Sequence, residues 1–196
     1  YGCSSLTKIT IPSSLTEIGS YAFYKCSSLT QITIPSSLKK IRSKTFANCS
    51  SLKEIIFEDN SSIKSFGKYA FAKCTSLNKI TIPPSLKTIK RGCFTKCISL
   101  FNILIPPSVI NIDCFAFNEC SLLTNVILSP SLYFIQKCAF KKCKSLKKII
   151  IPGSVKRISS YSFFECQSLS EVIILLSNAI IERDAFPSQT VVIHFT

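Results

Sequence analysis

The chain has 196 residues, with 24 lysines and arginines against 10 acids for a formal charge of +14, 46% apolar residues, 11 cysteines, five glycines and one histidine. No stretch of about 18 residues is free of charge, which excludes a membrane-spanning helix; the glycines never fall in a phosphate-cradling order; and one imidazole among scattered acids supplies neither a nucleophile with its base nor a zinc set. Catalytic residues, metal ligands and cofactors are accordingly predicted as none.

The elements repeat from the first residues onward. Cys3, Cys26, Cys49, Cys74, Cys97, Cys120, Cys143 and Cys166 open successive copies, 23 residues apart with one step of 25. A unit of that length cannot enclose a core, so each copy must bury its apolar side against the next. Residues 1–196 are therefore predicted to form a single solenoid without a linker. Three places after the cysteine stands leucine (Leu6, Leu29, Leu52), followed by an I-x-I pair such as Ile9/Ile11, Ile80/Ile82 or Ile149/Ile151. That alternation predicts one strand per coil, in a parallel sheet, with the isoleucines inward. Proline at Pro12, Pro35, Pro83, Pro106 and Pro152 closes the strand, because it has no N–H to offer a ladder.

An L-x-x-I pair follows (Leu15/Ile18, Leu38/Ile41, Val155/Ile158) and predicts a short second strand on the opposite side of the coil. Each copy then ends in a small residue, phenylalanine and, three places on, the next cysteine (Ala22-Phe23, Ala70-Phe71, Ala139-Phe140), which reads as one tight helical turn. Stacked, Phe23, Phe46, Phe71, Phe94, Phe117, Phe140, Phe163 and Phe186 become an internal spine, and the repeat cysteines an inward column of free thiols. Cys93, Cys114 and Cys138 fall in other columns near the Phe turn.

The third copy carries two extra residues within Glu58-Asp59-Asn60-Ser61-Ser62, which should bulge from one edge. The last unit shortens to residues 190–196, predicted as a closing strand with Val191, Ile193 and Phe195 inward and His194 exposed. At the other end Tyr1-Gly2-Cys3 looks like the tail of a preceding turn with no polar cap before it, so the sequence is expected to be part of a longer chain.

Two surfaces emerge from the columns. The residue between the inward isoleucines must face out, and that column runs Thr10, Thr33, Ile56, Thr81, Leu104, Ile127, Ile150, Ile173. From Leu104 on it is continuously aliphatic, flanked by Asn102, Asn125, Lys148 and Glu171, and an exposed stripe of this kind marks an interaction surface. The alternatives are that β-branched residues stand there because they favour strands, or that another segment covers them. The second surface is basic: Lys39, Lys40, Arg42, Lys64, Lys87, Lys90 and Arg91 gather on one side of copies two to four, able to attract acidic proteins, anionic glycans or lipid headgroups. Lysine that simply keeps a long apolar rod soluble is the plain alternative. Nucleic acid is disfavoured, since stacking bases want exposed aromatics among the cations, whereas most phenylalanines occupy the inward spine, with Tyr133 and Phe134 an exception on the second segment. A third reading is end-to-end self-association through the uncapped first coil.

The run Ile34-Pro35-Ser36-Ser37-Leu38, with Ile41 and Phe46-Ala47-Asn48-Cys49 after it, resembles the BspA-like class of leucine-rich repeats over essentially the whole chain. The resemblance implies a mainly β leucine-rich-repeat-like solenoid. It also implies a non-enzymatic adhesion or protein-binding module, secreted or at the cell surface, whose partner is a host matrix or cell-surface protein. A cytoplasmic location is the alternative. Copy eight departs from the pattern, with Leu175 for proline, Asn178 for leucine and Gln189 for cysteine.

Overall fold

In a computed structural model that describes residues 2–176 and 178–195, the chain winds as a β-solenoid with no helix among the described residues. Strands numbered in chain order alternate between two sides of the coil. One side carries β1 (Gln31–Ile34), β3 (Glu54–Phe57), β5 (Lys79–Ile80), β7 (Asn102–Leu104), β9 (Asn125–Ile127), β11 (Lys148–Ile151), β13 (Glu171–Leu175) and β15 (Val191–Phe195). The other carries the two-residue strands β2 (Lys40–Ile41), β4 (Ser65–Phe66), β6 (Thr88–Ile89), β8 (Asn111–Ile112), β10 (Phe134–Ile135), β12 (Arg157–Ile158) and β14 (Ile180–Ile181). All pairing is parallel and in repeat register, with Ile32 opposite Ile55 and Ile149 opposite Val172. Because side chains alternate with period two, this register keeps every inward isoleucine inward; β1 and β11 alternate exposed and buried along their length.

The dry interior is the predicted spine. Consecutive rings from Phe23 to Phe186 stack with centroids 5.1–5.7 Å apart and planes within 20° of parallel, the offset arrangement that ring quadrupoles favour. In the longer third copy Phe66 replaces the usual isoleucine. It packs edge-on against Phe71 at 5.2 Å while Phe57 stacks on it at 5.9 Å, filling the space that the altered coil leaves. The insertion itself runs over the surface through a turn closed by Ser61 N–H on Glu58 C=O, 3.2 Å.

Two polar columns explain residues that apolar packing alone would not select. Repeat thiols from Cys49 to Cys166 donate to the phenylalanine carbonyl of the coil before, at 3.0–3.3 Å. The serine after the proline does the same on the opposite corner, as Ser37 to Leu15 O at 2.6 Å and Ser154 to Leu132 O at 2.8 Å. Each ties one coil to the next, and each thiol adds a second donor to a carbonyl that already accepts the cysteine N–H of its own coil, as Phe71 C=O does from Cys74 N–H.

The Phe segment is not helical, contrary to the sequence expectation. It is a run of overlapping turns: Ala70 N–H bonds Gly67 C=O and Cys74 N–H bonds Phe71 C=O, both at 3.2 Å, with Tyr69 and Lys73 at φ of 58° and 60° in the third position of each. A positive φ there is what a type II turn requires. The alternate N–H groups of Tyr69, Phe71 and Lys73 point instead to the next coil, reaching Arg91, Cys93 and Thr95 carbonyls at 2.8–2.9 Å. Nothing is left to donate four residues back.

The ends differ from expectation as well. The first described coil forms no strand beyond a bridge from Ile18 to Ile41, and Cys3 is exposed rather than in the thiol interior. In β15 the register is Val172 to Val192 and Ile174 to His194, so Val192 and His194 take the inward column while Val191, Ile193 and Phe195 face out. A one-residue shift exchanges the two faces of a strand. His194 is nevertheless exposed. Tyr1 and Thr196, both included in the end readings above, lie outside the described residues.

All 11 cysteines are free, and nine are buried or nearly so: only Cys3 is exposed and Cys114 half-buried. Burial, then the Asp113 carboxylate beside it, raises the Cys114 thiol. A maleimide at neutral pH should therefore label Cys3 fastest and Cys114 slowly, with the others reacting only on unfolding, as peptide mass mapping would reveal. Rapid native labelling of Cys97 or Cys120 would contradict the thiol column.

Candidate functional site

The outward column of the sheet is where the coils, through their alternation, deliver apolar side chains to solvent. Leu104 is 61% exposed, Ile127 52% and Ile150 47%, each between two buried neighbours in the sequence. Ile173 sits opposite Ile150 in register and is half-buried. The hydrogen-bonded ladder is interrupted on either side of the β7–β9 pair, which leaves the face as three short sheets. A cleft opens at each interruption. The first, about 270 Å³, is lined by Thr81, Asn102, Leu104, Pro106, Asn125 and Ile127. The second, about 480 Å³, is lined by Asn125, Ile127, Pro130, Lys148, Ile150 and Leu175. Seven of the eight residues expected on this face thus border two adjoining clefts, with Ile173 one strand further on. Lys148 is held by Glu171, Nζ to Oε2 3.0 Å, so it edges the face as a fixed ion pair rather than a free charge.

Sequence reading missed Ile193 on this face and three exposed apolar side chains in the segments that lead into β7 and β9. Phe101 is 48% exposed and Leu122 54%, while Ile98, 42%, lies beside Leu122, whose N–H bonds the Ile98 carbonyl. Each occupies a column that other copies fill mainly with polar residues (Thr30, Lys53 and Asn78 for Phe101), and that departure was the available signal. Ile193 continues the outward column onto β15, which the assumed register of the closing strand concealed.

The basic residues divide. Lys39 and Lys64 are adjacent, Lys64 N–H bonding the Lys39 carbonyl at 2.8 Å, and with Lys40 and Lys87 they stand exposed on the second side of the coil. Arg42 is paired with Glu17 and is not free to meet a ligand unopposed. Lys90 and Arg91 belong to the turn edge, where the Arg91 Nε donates to the Tyr69 hydroxyl at 3.2 Å. Tyr133 and Phe134 are exposed and meet edge to face at 6.3 Å. Among the described residues no three His, Cys, Asp or Glu side chains converge as a metal cage, and no helix is long and apolar enough to cross a membrane.

The chain is similar to solved structures of bacterial repeat proteins. A leucine rich cell surface protein from Faecalibacterium prausnitzii is 33% identical, with a TM-score of 0.80 over 86% of this chain and 48% of its own. A leucine rich repeat protein from T. pallidum is 30% identical with a TM-score of 0.74, over 82% of this chain and 77% of its own. One from Bacteroides ovatus is 28% identical with a TM-score of 0.64, over 98% and 64%. The chain spans about half the length of the Faecalibacterium protein. No curated protein matches it. The BspA type leucine rich repeat region matches residues 1–113 and 64–193, which together cover nearly all of the sequence. With its repeat register, phenylalanine spine and thiol column accounted for, the chain belongs to the BspA type leucine-rich-repeat family.

Proposed function

We propose that the chain is a non-enzymatic protein-binding module of the cell-surface type, and that it takes its partner on the outer face of the β7–β13 strands. The observation that carries this reading is the aliphatic stripe Leu104, Ile127, Ile150, exposed across adjoining strands and bordered by two clefts that accept a partner's side chains. Burying one such side chain contributes about 1.5–3 kcal/mol, and a few anchors of this size dominate a typical interface. The partner on this reading is a host matrix or cell-surface protein, in keeping with the similarity to a leucine rich cell surface protein.

The test is the triple variant L104S/I127S/I150S, applied to immobilised extracellular-matrix proteins and to epithelial cells. Binding should fall at least tenfold while the thermal transition stays within a few degrees of wild type, since these side chains pack on nothing inside. Undiminished binding with unchanged stability would move the site off this face. Raising the salt separates this reading from charge-driven capture, which a Debye length of ~3 Å at 1 M abolishes and apolar contact does not.

A further inference from the structure

A second surface lies on the turn edge, away from the sheet. In each coil one residue holds the first left-handed position of the Phe segment on this edge: Tyr21, Lys44, Tyr69, Gly92, Phe115, Cys138, Tyr161 and, at the far end, Asp184, with φ between 55° and 61°. Aromatic rings occupy every second coil of the series. The coils between supply a cation. Lys44 Nζ lies 5.2 Å from the Tyr21 ring centre and 5.9 Å from that of Tyr69. The Arg91 guanidinium joins Tyr69 to Phe115, donating to the Tyr69 hydroxyl at 3.2 Å with its carbon 5.5 Å from the Phe115 ring centre. Lys137 Nζ stands 5.8 Å from the Tyr161 ring centre.

Gly92 shows that this ladder is built. Its φ of 60° does not by itself demand glycine, because tyrosine, lysine, phenylalanine and cysteine adopt the same angle at equivalent positions. A side chain here would meet the ring of Tyr69, whose Cε1 would lie 2.2 Å from an added Cβ, so the ring would have to move. The ring therefore leans on the bare Cα of the next coil, with Lys44 reaching it from the coil before.

None of Lys44, Arg91 and Lys137 forms an ion pair among the described residues. The acids nearest the edge are engaged elsewhere: Asp113 accepts from the backbone N–H groups of Arg91 and Cys114, Glu182 from Ser160 and Arg157, and Asp184, at the far end of the column, pairs with Arg183. Rings instead of carboxylates hold the cations, so their charge is ordered but not neutralised. Cations and neighbouring coils sit against the rings, so the edge presents ring rims, the positive part of the aromatic quadrupole, together with tyrosine hydroxyls and ammonium groups. Side chains already held in place lose little entropy on meeting a ligand. The pattern repeats every two coils, about 10 Å at the ~4.8 Å spacing of parallel strands.

We propose that this turn edge binds an extended acidic polysaccharide with an anionic group on every second sugar. An extended disaccharide matches the two-coil repeat, and the run from Tyr21 to Tyr161 accommodates about three such units at the ~4.8 Å coil spacing. A single-stranded nucleic acid fits worse. It bears a phosphate on every residue and gains affinity from bases stacked on open ring faces, whereas these rings already carry cations.

The test uses heparin oligosaccharides of increasing length with the whole chain, read by calorimetry. Affinity should rise with each disaccharide up to the hexasaccharide and then level off. The variant K44Q/R91Q/K137Q should lose at least tenfold in affinity, while K39Q/K64Q/K87Q, which removes the same charge from the neighbouring segment, should change it less than threefold. Gly92→Ala leaves every charge in place but displaces Tyr69, and a severalfold loss is expected. Circular dichroism checks that each variant is folded; for any that is not, Tyr69→Leu replaces it as the charge-neutral probe. Equal losses in the two triple variants, wild-type affinity on displacing or removing the Tyr69 ring, or single-stranded oligothymidylate binding as tightly as the octasaccharide would each overturn the assignment. L104S/I127S/I150S should keep heparin affinity, so failure here and failure of the sheet-face reading are separable.

Discussion

Replacing Phe117 by alanine should cost about 3–5 kcal/mol, the range for truncating a buried phenylalanine in a tightly packed interior. Its ring is fully buried and stacks on Phe94 at 5.3 Å and on Phe140 at 5.1 Å, so one substitution opens a void facing two coils. In a solenoid, stability is close to a sum of coil terms and nearest-neighbour interfaces. The damage at Phe117 therefore falls on both interfaces of a central coil. Among the described residues Phe186 stacks on Phe163 alone, and it is half-buried, so Phe186→Ala should cost less than half as much and leave the remaining coils cooperative. Urea unfolding followed by far-UV circular dichroism gives both numbers, and a central variant that melts in two steps would be a direct sign of split coupling between coils. Equal costs at the two positions, or a central loss below about 1 kcal/mol, would mean that the spine is not what holds successive coils together.

The legibility of this interior has a physical origin. A column that recurs in every copy reports one location in the coil, so cysteine, leucine, the isoleucine pair and phenylalanine are each read several times over. What a column does not report is backbone sign. Phe-x-x-Cys has the spacing of a helical turn, and the left-handed residues that make it a series of type II turns are tyrosine and lysine far more often than glycine, so nothing in their identity announces a positive φ. The closing strand failed for a related reason. Val191-Val192-Ile193-His194-Phe195 alternates acceptably in either register, and hydropathy favours turning Ile193 and Phe195 inward. Pairing with Val172 and Ile174 decides it the other way.

The candidate surfaces were legible to the extent that they follow from alternation. Leu104, Ile127 and Ile150 had to face outward once their neighbours faced in. The clefts beside them depend on where the ladder is interrupted, a property of spacing between coils that no single copy encodes. The turn-edge ladder was hidden differently: its column mixes aromatic, lysine, glycine and cysteine, which reads as variability until the coils are stacked and every second position proves aromatic.

The buried thiols make a second strong prediction, that the protein loses its fold in mild alkali. Burial raises Cys49 to about 12 and pushes Cys74, Cys93, Cys97, Cys120 and Cys143 up as well, from an ordinary 9.0; a thiolate in an apolar interior has lost its hydration. In the unfolded chain the same thiols release their protons near the ordinary value. Above it the folded state binds more protons than the unfolded state, so stability, fully present below about pH 9, falls as pH rises. Each thiol contributes a slope of about 1.4 kcal/mol per pH unit. Acting together they remove the ~5–15 kcal/mol typical of a folded domain within a few pH units. Urea midpoints should thus be nearly constant from pH 7 to about pH 8.5 and then collapse steeply. Cys97→Ala and Cys120→Ala, which each lose a thiol and its bond to a phenylalanine carbonyl, should start about 1–2 kcal/mol less stable at neutral pH. Their decline should nevertheless be shallower by one proton, so that the curves converge with wild type in alkali. Midpoints that hold steady to pH 11, or variants whose slope matches wild type, would place these thiols in contact with water and remove the shared dry column from the account of this fold.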